Sequence, residues 1–103
     1  MNFAADELLE ELSRIDAIMG EVVRRAGQGC GPDFERRLDA RIRSLRPMLK
    51  QEDLEVAIDA IEAAKRVLIS ADPAAPLMML AMARQTLNGV IRRQANRQRL
   101  RAA

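Results

Sequence analysis

Hydrophobic side chains recur at spacings of three and four residues in the first quarter of the chain. That spacing places them on one face of an α-helix. Glycines follow within the range 27–31, and glycine accepts the left-handed backbone that closes a helix. The pattern therefore predicts a first helix and a short glycine-rich loop. The apolar positions of this helix are Leu8, Leu12, Ile15, Met19, Val22 and Ala26.

A second helical pattern begins at Pro32, whose fixed φ suits a first helical position. Asp33 and Glu35 follow where the positive end of the helix dipole stabilises carboxylates. Pro47 then interrupts the pattern, because proline lacks a backbone donor and restricts the residue before it. We expect a break or a sharp kink between Arg46 and Asp53. The apolar positions of the second helix are Phe34, Leu38, Ile42 and Leu45.

Two further helical patterns fill the rest of the chain. The third runs from Leu54 to Leu68, and prolines at positions 73 and 76 mark the turn that follows. The fourth runs from Leu77 to Ile91 and has an unusually wide apolar surface. Asn88-Gly89 could end it, since glycine costs about 1 kcal/mol in a helix interior, but we favour a continuous helix.

Four helical segments with short connections predict a small antiparallel bundle. The expected fold is all-α, with about four helices and a proline break near residue 47. We assign residues 1–91 to a single helical domain and residues 92–103 to an arginine-rich helix end or tail. Composition agrees, because the only aromatic residues are Phe3 and Phe34 and no alternating β-pattern occurs.

Composition argues against catalysis. The chain contains no histidine, which is the side chain most often used for proton transfer near neutral pH and the commonest transition-metal ligand. Its few hydroxyl side chains fall in no nucleophile motif, and the glycine-rich range 27–31 lacks the lysine of a phosphate-binding loop. We expect no enzymatic activity, no cofactor, no bound metal and no small-molecule substrate.

Compartment is inferred from the same composition. Acidic residues at the start of the chain are unlike a signal peptide. The longest apolar run, Leu77 to Ala83, has 7 residues, far fewer than the roughly 20 that span a bilayer. Cys30 is the single cysteine, so no intramolecular disulfide forms, and we interpret it as incidental rather than redox-active. The expected location is cytoplasmic, without a membrane span.

Met78, Met79 and Met82 are the candidate partner-binding residues. They widen the apolar surface of the fourth helix beyond one buried stripe, and methionine is over-used on surfaces that adapt to partners. Such a block has a second explanation, namely that the fourth helix is buried on all sides at the centre of the bundle. Both remain open from sequence, and both are compatible with a homodimer.

Charge is distributed unevenly along the chain. Residues 73–103 carry six arginines and no acidic residue, so their net charge is +6, against +2 for the whole chain and therefore −4 for residues 1–72. The last arginines could contact nucleic-acid phosphates or dock on an acidic protein surface, or they could form a solvated tail. The candidate nucleic-acid residues are Arg92, Arg93, Arg97, Arg99 and Arg101.

Together these features favour a non-catalytic protein–protein interaction module, such as an adaptor, a small chaperone or a subunit of an assembly. Its binding surface is the methionine-rich face of the fourth helix, its partner is a protein, and self-association into a homo-oligomer is expected. The alternative is a nucleic-acid-binding or nucleoprotein-associated protein that uses the C-terminal arginines.

Overall fold

Four α-helices account for most of the chain. The computed structural model describes residues 3–102, with side chains described for residues 5–101. Within that range no residue lies in a β-strand. The predicted all-α fold is confirmed. The helices are α1 (Phe3–Arg24), α2 (Pro32–Leu45), α3 (Gln51–Ile69) and α4 (Ala74–Ala102).

Consecutive helices run antiparallel and close into a four-helix bundle, because α4 packs on α1 as well as on α3. Two ion pairs report the antiparallel alignment of α1 and α4. Asp6 lies 3.9 Å from Arg99, and Asp16 lies 3.8 Å from Arg84. Among the described residues, α2 and α4 do not contact each other. These two helices therefore occupy diagonal corners of the bundle.

The core is aliphatic, as the scarcity of aromatic residues requires. Each fully buried side chain of this size contributes about 1.5–3 kcal/mol through the removal of apolar surface from water. All four helices supply such side chains, so the bundle has one continuous core. The largest fully buried apolar residues include Leu8, Met19, Leu38, Leu45, Leu68, Leu80, Leu87 and Ile91.

The glycine-rich loop between α1 and α2 closes the end of α3. Gly27 donates its backbone N–H to the carbonyl of Val67 at 2.9 Å, and Gly29 donates to that of Leu68 at 2.7 Å. Both carbonyls belong to the last turn of α3, where intrahelical donors run out. Gly27 has a φ of +77°, and a Cβ there would lie 3.3 Å from the carbonyl oxygen of Ser70. Glycine is therefore needed here for both its backbone angle and its size.

The break near Pro47 is confirmed, since α2 ends at Leu45 and α3 begins at Gln51. The Leu45 carbonyl accepts hydrogen bonds from the backbone N–H groups of Met48 at 2.9 Å and Leu49 at 3.0 Å. These turn bonds satisfy the end of α2 without requiring a donor at Pro47. Leu49 is buried, so the turn packs onto the core.

The fourth helix is continuous through Asn88-Gly89, as expected, and has 29 residues. It starts after Pro73, whose carbonyl accepts the N–H of Leu77 at 2.8 Å. Pro76 lies in the first turn, where its missing donor has no helical acceptor to lose. The range 92–102 continues this helix, and Gln94 and Ala95 are buried within it. Ala103 lies outside the described residues.

Candidate protein-binding surface

The three candidate methionines point away from the core. Met78, Met79 and Met82 keep 70%, 52% and 67% of their surface exposed, whereas Leu80 and Leu87 on the same helix are buried. An all-round buried helix would cover these side chains. The second explanation for the broad apolar block is therefore wrong, because this end of α4 has one buried side and one exposed apolar side.

Helical spacing brings the three methionines together. Met82 follows Met78 by four residues and Met79 by three, and residues so separated are neighbours on a helix surface. Ala75 and Ala81 are exposed beside them. We call Met78, Met79 and Met82 the methionine face. It is a contiguous apolar surface on a regular helix, presented by side chains that adapt readily to another surface.

The bundle geometry explains why this face has no intramolecular cover. Helix α4 packs against α1 and α3 through Leu80, Leu87 and Ile91, which follow the helical period. The three methionines lie on the side of α4 that faces away from these buried residues. Since α2 occupies the diagonal corner, no third neighbour is placed to cover the outer side of α4 within the described residues.

The predicted arginines occupy the other end of the same helix, and all five are exposed. The Nε of Arg92 donates to the Oδ1 of Asn88 at 2.7 Å. Among the described residues, Asp6 beside Arg99 is the one carboxylate within 4.0 Å of any of the five. Their charges are largely uncompensated by the fold. We refer to these five residues as the arginine end: Arg92, Arg93, Arg97, Arg99 and Arg101.

The structure brings three of the five arginines together. A groove of about 390 Å³ lies between α1 and α4 and takes its charge from Arg92, Arg93 and Arg99. Arg97 and Arg101 do not line it. The other lining residues are Leu9, Ala95 and Asn96.

Sequence reasoning missed a buried ion pair between α1 and α2. Glu11 is 1% exposed, and its two oxygens accept from the Arg41 guanidinium at 3.0 and 2.9 Å. Arg14 donates to the same carboxylate at 3.3 Å. Burial raises the pKa of the Glu11 carboxyl above its usual value, while the nearby Arg41 and Arg14 guanidinium groups oppose that rise. A signal existed, because Glu11 follows Leu8 by three residues and precedes Ile15 by four on the buried stripe.

Cys30 lies half-buried in the loop between α1 and α2. Burial raises the pKa of its thiol, and the negative charge of Glu35 adds to that effect. A reactive thiol has a lowered pKa, since the thiolate is the nucleophile. The environment of Cys30 therefore agrees with interpreting this cysteine as incidental.

The described residues form neither a cluster of metal ligands nor a membrane-spanning helix. Between residues 3 and 102, no three carboxylate or cysteine side chains are grouped as metal ligands would be. None of the helices described in that range combines the length and hydrophobicity that crossing a bilayer requires. No protein-family model, curated protein or solved structure matches the chain.

Proposed function

We propose that this protein is a non-catalytic interaction module whose outer α4 surface binds another protein. The observation that supports it most is the exposure of Met78, Met79 and Met82 as one contiguous face on a well-packed helix. Contiguous exposed apolar patches are uncommon on monomeric soluble proteins and often mark protein–protein interaction sites. Covering each methionine would contribute about 1–2 kcal/mol to a complex.

The arginine end specifies the chemistry of the partner. Residues 78, 82 and 93 follow the helical repeat and share one side of α4, so Arg93 of the arginine end faces in the same general direction as Met78 and Met82. No acidic residue occurs anywhere in α4. The complementary partner is a protein surface with apolar side chains at one end and carboxylates at the other. This surface chemistry suits an adaptor, a small chaperone or a subunit of an assembly.

Selection from a library of helical peptides tests this partner chemistry and does not require the natural partner. We expect the peptides that bind to be enriched in leucine or phenylalanine towards one end and in aspartate or glutamate towards the other. The double variant Met78→Gln/Met82→Gln should lose at least about tenfold in affinity, because two apolar contacts worth about 1 kcal/mol each are removed.

Leu100→Gln is the matched control, since Leu100 is as exposed as the methionines and lies at the arginine end of the same helix. It should lower the affinity by less than about threefold. Both variants should have a free energy of unfolding within about 0.5 kcal/mol of that of the natural protein, because substitutions at exposed positions usually have small effects. Peptides without acidic residues, or equal losses in the two variants, would argue against the proposal.

A second copy of the chain is a further candidate partner for the methionine face alone, because α4 has no carboxylate to pair with the arginine end, and self-association is expected. If two α4 helices cross antiparallel at the methionine faces, their arginine ends lie at opposite ends of the dimer and do not repel each other closely. Sedimentation velocity at micromolar concentration should then show a dimer that Met78→Gln/Met82→Gln dissociates. A monomer at every concentration would rule out the second copy and leave a different protein as the partner.

Nucleic-acid binding is the second candidate. It is supported by the groove in which Arg92, Arg93 and Arg99 lie together with few compensating carboxylates. Phosphate contacts need no sequence reading and are made by exposed arginines. No aromatic side chain is present at the arginine end to stack on bases, so we expect binding at low salt only. Capture from host cells with and without nuclease separates the two candidates.

A further inference from the structure

A second arginine-lined groove, of about 600 Å³, lies between α1 and α2. Its volume falls within the range of about 300–1,000 Å³ that is typical of small-molecule sites. Four of its eight lining residues are arginines, from two helices that the α1–α2 loop holds side by side. Its apolar floor is small, formed by two alanines and an isoleucine. The lining residues are Arg14, Ala17, Ile18, Glu21, Arg24, Arg37, Ala40 and Arg41.

Two of these arginines are positioned by a carboxylate behind the groove. Glu11 is buried and accepts from both Arg41 and Arg14, as described above. An apolar residue at position 11 would extend the stripe of α1 and would avoid the desolvation of a carboxylate. Buried ion pairs contribute little to stability compared with such a replacement. Glu11 therefore makes more sense as a residue that orients two guanidinium groups than as a core residue.

A third arginine is held by a carboxylate and a ring. Arg37 donates to the Oε2 of Glu21 at 2.8 Å, and its guanidinium carbon lies 5.0 Å from the centre of the Phe34 ring. Arg25 lies 3.2 Å from the other oxygen of Glu21 and 5.1 Å from the same ring centre. The contacts of Arg37 with Glu21 and with the Phe34 ring restrict its side chain before a ligand binds, so less rotamer entropy is lost on binding.

The groove keeps a positive charge after its own ion pairs are counted. Five arginines, at positions 14, 24, 25, 37 and 41, lie against three glutamates, at positions 10, 11 and 21, which leaves a net charge of +2. Within the described residues, Arg24 takes part in no ion pair shorter than 4.0 Å and is available for a ligand. Guanidinium groups that line one groove, three of them oriented by ion pairs, match the oxygens of phosphate groups in bidentate geometry.

We propose that the groove between α1 and α2 binds a small molecule that carries two or more phosphate groups, held by Arg14, Arg24, Arg37 and Arg41. The ligand is bound without chemical change. This site uses none of the residues of the methionine face or the arginine end, so it stands independently of the function proposed above.

Inorganic triphosphate is the probe for this site. Isothermal titration calorimetry at low ionic strength should show one binding site per chain, with an affinity that weakens as salt is added. Triphosphate should also raise the thermal midpoint of unfolding, because a ligand of the folded state stabilises it by mass action. Absence of binding at millimolar triphosphate in low salt would overturn the proposal.

Arg24→Gln is the test variant, because Arg24 is exposed and, among the residues that the structure describes, forms no ion pair within 4.0 Å. It should weaken triphosphate binding about tenfold, the loss of one charge-assisted hydrogen bond. Arg66→Gln on α3 and Arg97→Gln on α4 remove the same charge from exposed positions elsewhere. Both should change the affinity less than threefold, and losses equal to that of Arg24→Gln would overturn the proposal by showing diffuse charge attraction.

Glu11→Gln tests the positioning role. This variant adds positive charge to the groove, so charge alone predicts tighter triphosphate binding. Loss of the two-oxygen contact with Arg41 predicts weaker binding by about threefold or more, despite the added charge. Tighter binding would overturn the positioning role of Glu11. Thermal unfolding of the variant without ligand confirms that the comparison is made on folded protein.

Discussion

The two ends of α4 are alike on the inside and different on the outside. Towards the core, Leu80 and Ile91 are buried equally well against α1 and α3. On the outside, the first end presents methionines and the second presents arginines. Because one packing pattern runs the whole length of the helix, the fold itself does not require either outer chemistry. The outer residues of α4 are therefore the candidates for a functional role.

A similar contrast separates two sets of arginines. Arg41 is largely buried and bound to Glu11, so its charge is part of the structure. Arg97 is exposed on α4, and no carboxylate lies within 4.0 Å of it among the described residues. Removing a charge that is bound within the fold should therefore lower stability, whereas removing an available charge, one without a partner among the described residues, should not.

The largest expected effect tests whether the inner face of α4 is packed equally well at its two ends. Leu80→Ala and Ile91→Ala should each lower the free energy of unfolding by about 2–4 kcal/mol, through lost burial and a residual cavity. Urea denaturation measures both. A loss below about 1 kcal/mol in either variant would mean that its end of α4 is not packed as described.

A smaller effect should distinguish the two sets of arginines. Arg41→Gln should lower the free energy of unfolding by about 2 kcal/mol, because it weakens the contacts of the buried Glu11 carboxylate. Arg97→Gln should change it by less than about 0.5 kcal/mol. Equal changes in the two variants would contradict the distinction between bound and available charges.

Glu11 also gives stability a pH dependence of known sign. Its pKa is higher in the folded state than the ordinary value of 4.5, so the folded protein binds this proton more tightly than the unfolded chain does. Its contribution should therefore favour folding below pH 4.5 and decline as the pH rises above that value. As the pH rises above 4.5, the free energy of unfolding of the natural protein should therefore fall relative to that of Glu11→Gln. A relative gain would show that the arginines outweigh burial.

The smallest effect concerns nucleic acid at the arginine end. Binding to mixed DNA and RNA should be weak and should fall by about tenfold or more between 50 and 200 mM salt, as expected for a few phosphate contacts. Peptide binding should change less, because salt screens the contacts of the peptide carboxylates with the arginine end but not the apolar contacts at the methionine face. Fluorescence anisotropy measures both. Tight nucleic-acid binding at physiological salt would favour the second candidate function.

Sequence patterns predicted the helices well because the breaks between them have local causes. Pro47 and the glycines of the first loop act on the backbone where they stand, and the period of apolar residues identifies each buried face. The exposure of Met82 could not be predicted in this way, since it depends on which neighbours α4 has. The pairing of Glu11 with Arg41 joins residues 30 positions apart, and a carboxylate is ordinarily assigned to the surface.

The central claim is that the methionine face binds a protein, and site-specific crosslinking in host cells tests it most directly. A photoreactive amino acid in place of Met82 should form a discrete protein adduct, whose mass distinguishes a second copy from another protein. The same amino acid in place of Asp59, exposed on α3, should form none. An adduct at position 82 alone is the predicted result. No adduct at either position, or the same adducts at both, would contradict the claim.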